Sequence, residues 1–146
     1  MSKTFDLYDK DFFAWTQEQV ELIKNKAFDK LDIAHLIEEV ESMGNQNKTE
    51  LRNCFSILLM HLLKWKYQPE FKSKSWYLTI VQQRSDIMDL ISDNPSLKRY
   101  LPELFEKGYK KAIPLVAAET GISKKAFPLL SEWRIEQVLD DEFYPN

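Results

Sequence analysis

Apolar residues recur along most of the chain at spacings of three and four. No segment shows sustained two-residue alternation, and β-branched residues are sparse. That pattern predicts an all-α protein: a compact bundle of five or six helices around one central buried helix. A first helix is expected from about Asp11 to Lys24, with Asp9 or Asp11 accepting the free N–H groups of its first turn. Phe12, Trp15, Gln19, Leu22 and Ile23 lie near one face of it. A second helix starts after Asp32 and places Ile33, Leu36, Ile37, Val40 and Gly44 on one narrow stripe. His35, Glu38, Glu39 and Ser42 fall on the opposite side. The pair Gly44-Asn45 either ends this helix or only interrupts it; a helical glycine costs about 1 kcal/mol against alanine.

From Lys48 to Tyr67 the pattern changes. Cys54, Phe55, Ile57, Leu58, Leu59, Met60, Leu62 and Leu63 cover most of the helix circumference, so this segment is expected to be the central element. Gln68-Pro69 ends it. A fourth helix is expected over Lys74–Ser92, closed by Asp93-Asn94-Pro95, and a short one over Ser96–Tyr100. Pro102 suits the first turn of a fifth helix, and Thr120-Gly121 its C-cap. Pro114 lies inside that helix and is expected to kink or divide it. The tail after Ser123 is more broken, with Phe127, Trp133, Ile135, Val138, Leu139 and Phe143 packing it onto the body. Trp15–Val20 and Trp133–Val138 match at four of six positions. Two similar helix starts account for this more simply than a duplication.

Length and composition then narrow the classes. A chain of 146 residues fits a single domain, 1–146. One cysteine excludes an internal disulfide and a cysteine-based zinc site. No cofactor and no metal are expected. Met1–Asp6 has neither the basic start nor the apolar core of a leader peptide. The longest apolar run, near Cys54–Leu63, is about half of what a bilayer crossing needs. The expectation is a cytoplasmic protein without a membrane partner.

The net charge of −3 hides an uneven distribution. The segment 64–84 carries Lys64, Lys66, Lys72, Lys74 and Arg84 against Glu70 alone, so it is +4 and the rest of the chain −7. Trp65, Tyr67, Phe71, Trp76 and Tyr77 are interleaved with the charges. Such a mixture suits phosphate contact with base stacking, and Lys64, Trp65, Lys66, Tyr67, Lys72, Lys74 and Trp76 are the candidate nucleic-acid contacts. The plainer alternative packs the aromatics under a helix connection whose lysines stay in water.

The catalytic candidates are His61, Glu38, Glu39, Glu41 and Arg84. His61 sits in an apolar run, where it is either a core side chain with satisfied ring nitrogens or a general base beside a carboxylate. Arg84 lies toward the apolar side of its helix. A buried guanidinium calls for a carboxylate, and Glu38, Glu39 or Glu41 could supply it, giving an internal Glu–Arg–His network. His35 and Glu38 are spaced to reach one ion, but two histidines in the whole chain make a metal site a poor fit, and a solvated face is the simpler reading. Glycine-rich phosphate loops, G-x-S-x-G and H-E-x-x-H are all missing, and Cys54 has no visible activating partner.

The stretches Tyr8–Trp15, Leu36–Gly44 and Leu58–Pro69, with Ser75-Trp76, Thr79-Ile80, Pro95–Leu97, Glu119–Gly121 and the tail from Trp133 to Phe143, make the chain resemble the bacterial family called domain of unknown function 29. The resemblance implies a compact all-helical domain and no established activity. It draws attention to Glu38–Gly44, His61–Pro69 and Ser75-Trp76. In relatives the position of His35 is more often Asn, which leaves Glu38, Glu39, Glu41 and His61 as the better site residues.

Three functional readings follow. The favoured one is a non-enzymatic interaction module that binds a protein partner or forms a homo-oligomer. The others are a nucleic-acid-associated protein using 64–84 and a hydrolase using His61 with a glutamate of 38–41. Whether the protein is an enzyme is left open.

Overall fold

A computed structural model describes residues 3–146, with side chains from residue 7 onward. Of the stretch Met1–Asp6 read above for leader character, the first two residues and the side chains of the rest lie outside the described residues. Among the described residues there are six α-helices and no strand: α1 (Lys3–Lys10), α2 (Phe12–Lys24), α3 (Ile33–Tyr67), α4 (Lys74–Asp93), α5 (Leu101–Thr120) and α6 (Ile135–Leu139). The chain packs as two compact units, one ending at Asn45 and the other Gln46–Asn146.

The helix ends follow local chemistry. Asp11 caps α2, its carboxylate accepting the Ala14 N–H at 3.0 Å. Ser73 caps α4 through the Trp76 N–H at 3.2 Å. Gly121 takes the left-handed conformation at φ 76° and closes α5, with its N–H on the Ala117 carbonyl. Short 3₁₀ turns start at Pro69 and Pro95, where the ring fixes φ and no N–H is lost.

Two expected breaks do not divide their helices. Helix α3 runs on through Gly44-Asn45, so the segments read as separate helices are one. A single glycine costs about 1 kcal/mol, which the flanking turns of a long helix tolerate. Helix α5 likewise continues past Pro114. Leu104, Phe105, Gly108, Tyr109 and Ala112 before the proline and Val116 after it are all buried, so packing holds both halves to one body. The exposed proline removes one hydrogen bond without parting them.

In the unit ending at Asn45, α1 and α2 pack together with the first turns of α3. Among the described residues its buried side chains are Trp15 and Gln19. In Gln46–Asn146 the core forms around the second half of α3. Leu51, Phe55, Leu58, Leu59 and Leu62 are fully buried there, joined by Ile80 and Ile87 of α4 and Ala112 and Val116 of α5. Each large apolar side chain taken out of water contributes about 1.5–3 kcal/mol. Cys54 is buried in the same cluster, and its thiol is pushed up to about 11 by burial. It is therefore an inert packing residue at neutral pH. Val138, Phe127 and the half-buried Trp133, Ile135, Leu139 and Phe143 fasten the tail to this core, as the pattern predicted.

Candidate functional site

The candidate residues fall into both units, and their partners differ from those expected. The first turns of α3 leave most of the apolar stripe bare: Leu36 is half-buried, but Ile33, Ile37 and Val40 are exposed, as is Met43 one turn on. Ile33, Ile37, Val40 and Met43 are 53%, 53%, 60% and 59% exposed. On the opposite, polar side His35 and Glu39 are the residues that pack. His35 lies half-buried with its ring stacked on Tyr8, centroids 3.7 Å apart at 14°. Its Nδ1 is 2.6 Å from Asp32 Oδ2. The same Asp32 oxygen accepts the Trp15 indole N–H at 3.0 Å, and Gln19 Oε1 accepts the Asp32 backbone N–H at 2.9 Å. Tyr8 donates its hydroxyl to Glu39 at 2.5 Å.

Burial pushes the Asp32 carboxyl up, but the hydrogen bonds from His35 and Trp15 outweigh it and hold it below the usual carboxylate range. The bond to Glu39 pushes the Tyr8 phenol up to about 12. The face read as solvated is so at Glu38, Glu41 and Ser42, while His35 and Glu39 join a polar knot that ties α1, α2 and the start of α3 together. Tyr8, Trp15, Gln19 and Asp32 carry it. Sequence spacing could not place them together, because Tyr8 and Glu39 are 31 residues apart.

The partners that hold Arg84 and His61 lie within Gln46–Asn146 and are backbone carbonyls. Arg84 is 2% exposed, as expected, but its partners are backbone carbonyls of the tail. Nε donates to Val138 O at 2.8 Å, Nη1 to Asp141 O at 3.2 Å and Nη2 to Phe143 O at 2.6 Å. The guanidinium also lies 5.1 Å from the Tyr144 ring centre. Carbonyls suffice because the last turn of α6 and the irregular residues after it turn three acceptors toward the guanidinium's planar fork. A groove of about 620 Å³ opens beside Arg84, lined also by Tyr77, Val81, Met88, Asp89 and Tyr144. Three of the guanidinium donors are already taken up by the tail. Of the glutamates, Glu39 is bonded to Tyr8, while Glu38 and Glu41 are exposed.

His61 has its Nδ1 2.9 Å from the Ile57 carbonyl oxygen one turn back on α3, a contact that Nδ1–H makes by donating. Burial holds its pKa below the ordinary 6.5; Lys64 adds to this, while the Ile57 carbonyl and Glu119 oppose it. The unfolded chain therefore takes up the proton first, so stability is full above the ordinary pKa and falls as acid drives the folded ring to charge. Urea melts between about pH 7 and 5 should show a midpoint that drops with pH, and a flatter profile for His61→Gln. An unchanged slope in the variant would place the acid sensitivity elsewhere.

The basic segment is less available than its composition suggests. Lys64 is buried, with Nζ 2.6 Å from Glu119 Oε2 and 4.6 Å from the Trp76 ring centre. Lys66 pairs with Glu132 at 2.9 Å. Trp65 packs on Tyr144 and Tyr67 on Phe127, with ring centres 4.9 and 4.8 Å apart. Lys72 and Lys74 are exposed, with Lys72 Nζ 5.0 Å from the Trp65 ring centre. The arrangement is that of lysines and aromatics closing the joint between α3 and α4. Among the described residues no group of three or more His, Cys, Asp or Glu side chains is placed to hold a metal ion. No helix there is long and apolar enough to cross a membrane.

No curated protein and no solved structure matches the chain. The family described as domain of unknown function DUF29 matches residues 7–144, almost the whole length, and carries no activity in its description. The all-helical fold and the match agree with the resemblance read from the motifs: the chain belongs to the domain of unknown function DUF29 family.

Proposed function

We propose that the protein is a non-enzymatic interaction module, and that its docking face is the exposed stripe Ile33, Ile37, Val40 and Met43. The observation that carries this is at the start of α3: four large apolar side chains, each more than half exposed, within about three turns of one helix. Covering such a set of bare apolar side chains with a second surface is favourable. The charge supports a partner of opposite sign. Exposed Glu41 lies beside the stripe, and the unit ending at Asn45 has five lysines against ten acids. A second copy of the same face would bring like charges together, which disfavours symmetric self-pairing. The fitting partner is an amphipathic helix with Lys or Arg beside its apolar row. The proposed setting is the cytoplasm, where the buried Cys54 thiol stays reduced.

Fluorescence anisotropy with a leucine-rich helical peptide flanked by lysines tests this. Binding should be salt-sensitive, weak or undetectable for the same peptide flanked by glutamates, and reduced roughly tenfold or more in Ile37→Lys/Val40→Lys. Light scattering on the unmodified protein reports self-association separately. Equal binding of both peptides, or binding indifferent to the double substitution, rejects the assignment.

A further inference from the structure

The loop after the last 3₁₀ turn exposes two adjacent leucines, Leu129 at 93% and Leu130 at 63%. It is firmly held on both sides. Phe127 is buried, with its ring against Tyr67. The Tyr109 hydroxyl donates to the Pro128 carbonyl at 2.6 Å. Ser131 Oγ donates to the Trp133 carbonyl at 2.9 Å and accepts the Trp133 N–H at 3.1 Å. A side chain that is 93% exposed on a tied-down backbone is a fixed apolar tip, standing at the edge of the cleft it helps to line.

The surroundings of the tip are basic. A cleft of about 490 Å³ beside it is lined by Lys110, Ile113, Lys124, Lys125, Phe127 and Leu129, and no carboxylate lines it. Lys124 and Lys125 lie in the 3₁₀ turn Lys124–Ala126. Lys110 has one partner, Glu106 at 3.1 Å, and both side chains are largely exposed, so that pair separates at little cost.

We propose that this tip and its three lysines form a contact for an anionic lipid bilayer surface. A convex apolar pair needs a matching socket in a protein partner, whereas acyl chains accept it without one. Lysines at the base of the tip would then meet the headgroups, where an anionic leaflet attracts each of them. The contact is a surface one, since no helix among the described residues is long and apolar enough to cross. Two leucines and three lysines make it weak, reversible and dependent on anionic lipid. It lies in the unit Gln46–Asn146 and is independent of the docking face proposed for the start of α3.

Co-sedimentation of the full chain with phosphatidylcholine vesicles, with and without phosphatidylserine, tests the assignment. The expected result is pelleting with the phosphatidylserine vesicles alone, weakening as salt rises. Leu129→Asp/Leu130→Asp and, separately, Lys124→Glu/Lys125→Glu should each lower the bound fraction roughly tenfold at limiting lipid. All four side chains are exposed, so circular dichroism should be unchanged in both variants. Absence of pelleting, equal pelleting on neutral vesicles, or pelleting indifferent to both double substitutions overturns the proposal. So does preferential binding of a glutamate-flanked apolar helical peptide that vesicles fail to displace, because that would assign the tip to a soluble acidic partner.

Discussion

Replacing Arg84 by alanine is expected to cost about 3–5 kcal/mol, at about 1–3 kcal/mol for each carbonyl left unpaired, and to loosen the tail from Val138 onward. The guanidinium is 2% exposed and bonds three carbonyls, those of Val138, Asp141 and Phe143, that no helix or sheet satisfies in its place. Alanine leaves those acceptors unpaired and opens a void beside Tyr144, whose ring the guanidinium faces. Burial lowers the Arg84 pKa, but the side chain still carries its charge at neutral pH, and that charge strengthens all three bonds. Arg84→Lys should recover less than half of the loss. One ammonium nitrogen cannot reach three carbonyls arranged around a planar fork. Urea unfolding gives the energy, and carboxypeptidase digestion under native conditions gives the local effect: faster trimming of the last residues in both variants. A variant with an unchanged midpoint and an undigested tail would show that the clasp is dispensable.

Gly108→Val is expected to have the second-largest effect, a loss of several kcal/mol set by overpacking. Where α5 crosses α3, a Cβ on residue 108 would stand 2.8 Å from Phe55 Cβ, 3.1 Å from Arg52 O and 3.2 Å from Ser56 N. Two of those three atoms are backbone, so a rotamer change cannot relieve the clash and the helices must part. Even Gly108→Ala should destabilise by about 1–3 kcal/mol, despite alanine being the better helix former by about 1 kcal/mol. Gly44→Ala is the control. A Cβ there meets nothing within 4 Å, so the same replacement should stabilise α3 by about 0.5–1 kcal/mol. Thermal melts of the three variants decide it. If Gly108→Ala and Gly44→Ala shift the midpoint in the same direction, the close approach of the helices is not what the glycine serves.

The candidate residues divide by the range of the forces that place them. The central helix was legible because apolar residues around a whole circumference leave no side for water. Burial of Arg84 was legible from its place on α4. Its partner was not, since the carbonyls that hold it lie 54 to 59 residues downstream, and a backbone carbonyl looks the same in sequence at every position. The basic look of 64–84 counted charges without their counterions; Glu119 and Glu132 come to Lys64 and Lys66 from 55 and 66 residues away. Gly108 gave no sign of its role, because a glycine in a helix reads the same whether it faces solvent or another backbone.

The start of α3 shows the same limit in its sharpest form. Periodicity correctly separates Ile33, Ile37 and Val40 from His35 and Glu39, but it cannot say which side meets protein. Tyr8, Trp15, Gln19 and Asp32 decided that by offering the polar side a stacked ring and hydrogen bonds. By itself, then, the sequence determined the all-helical class, the caps and proline stops that set most helix ends, the buried centre of α3 and the family. Those depend on groups within a few residues of one another. The tertiary structure alone decided which face of α3 is bare, what satisfies Arg84 and His61, how the lysines are neutralised and where two leucines stand in water. Each of these rests on distant segments meeting, and a one-dimensional pattern holds no distances between them.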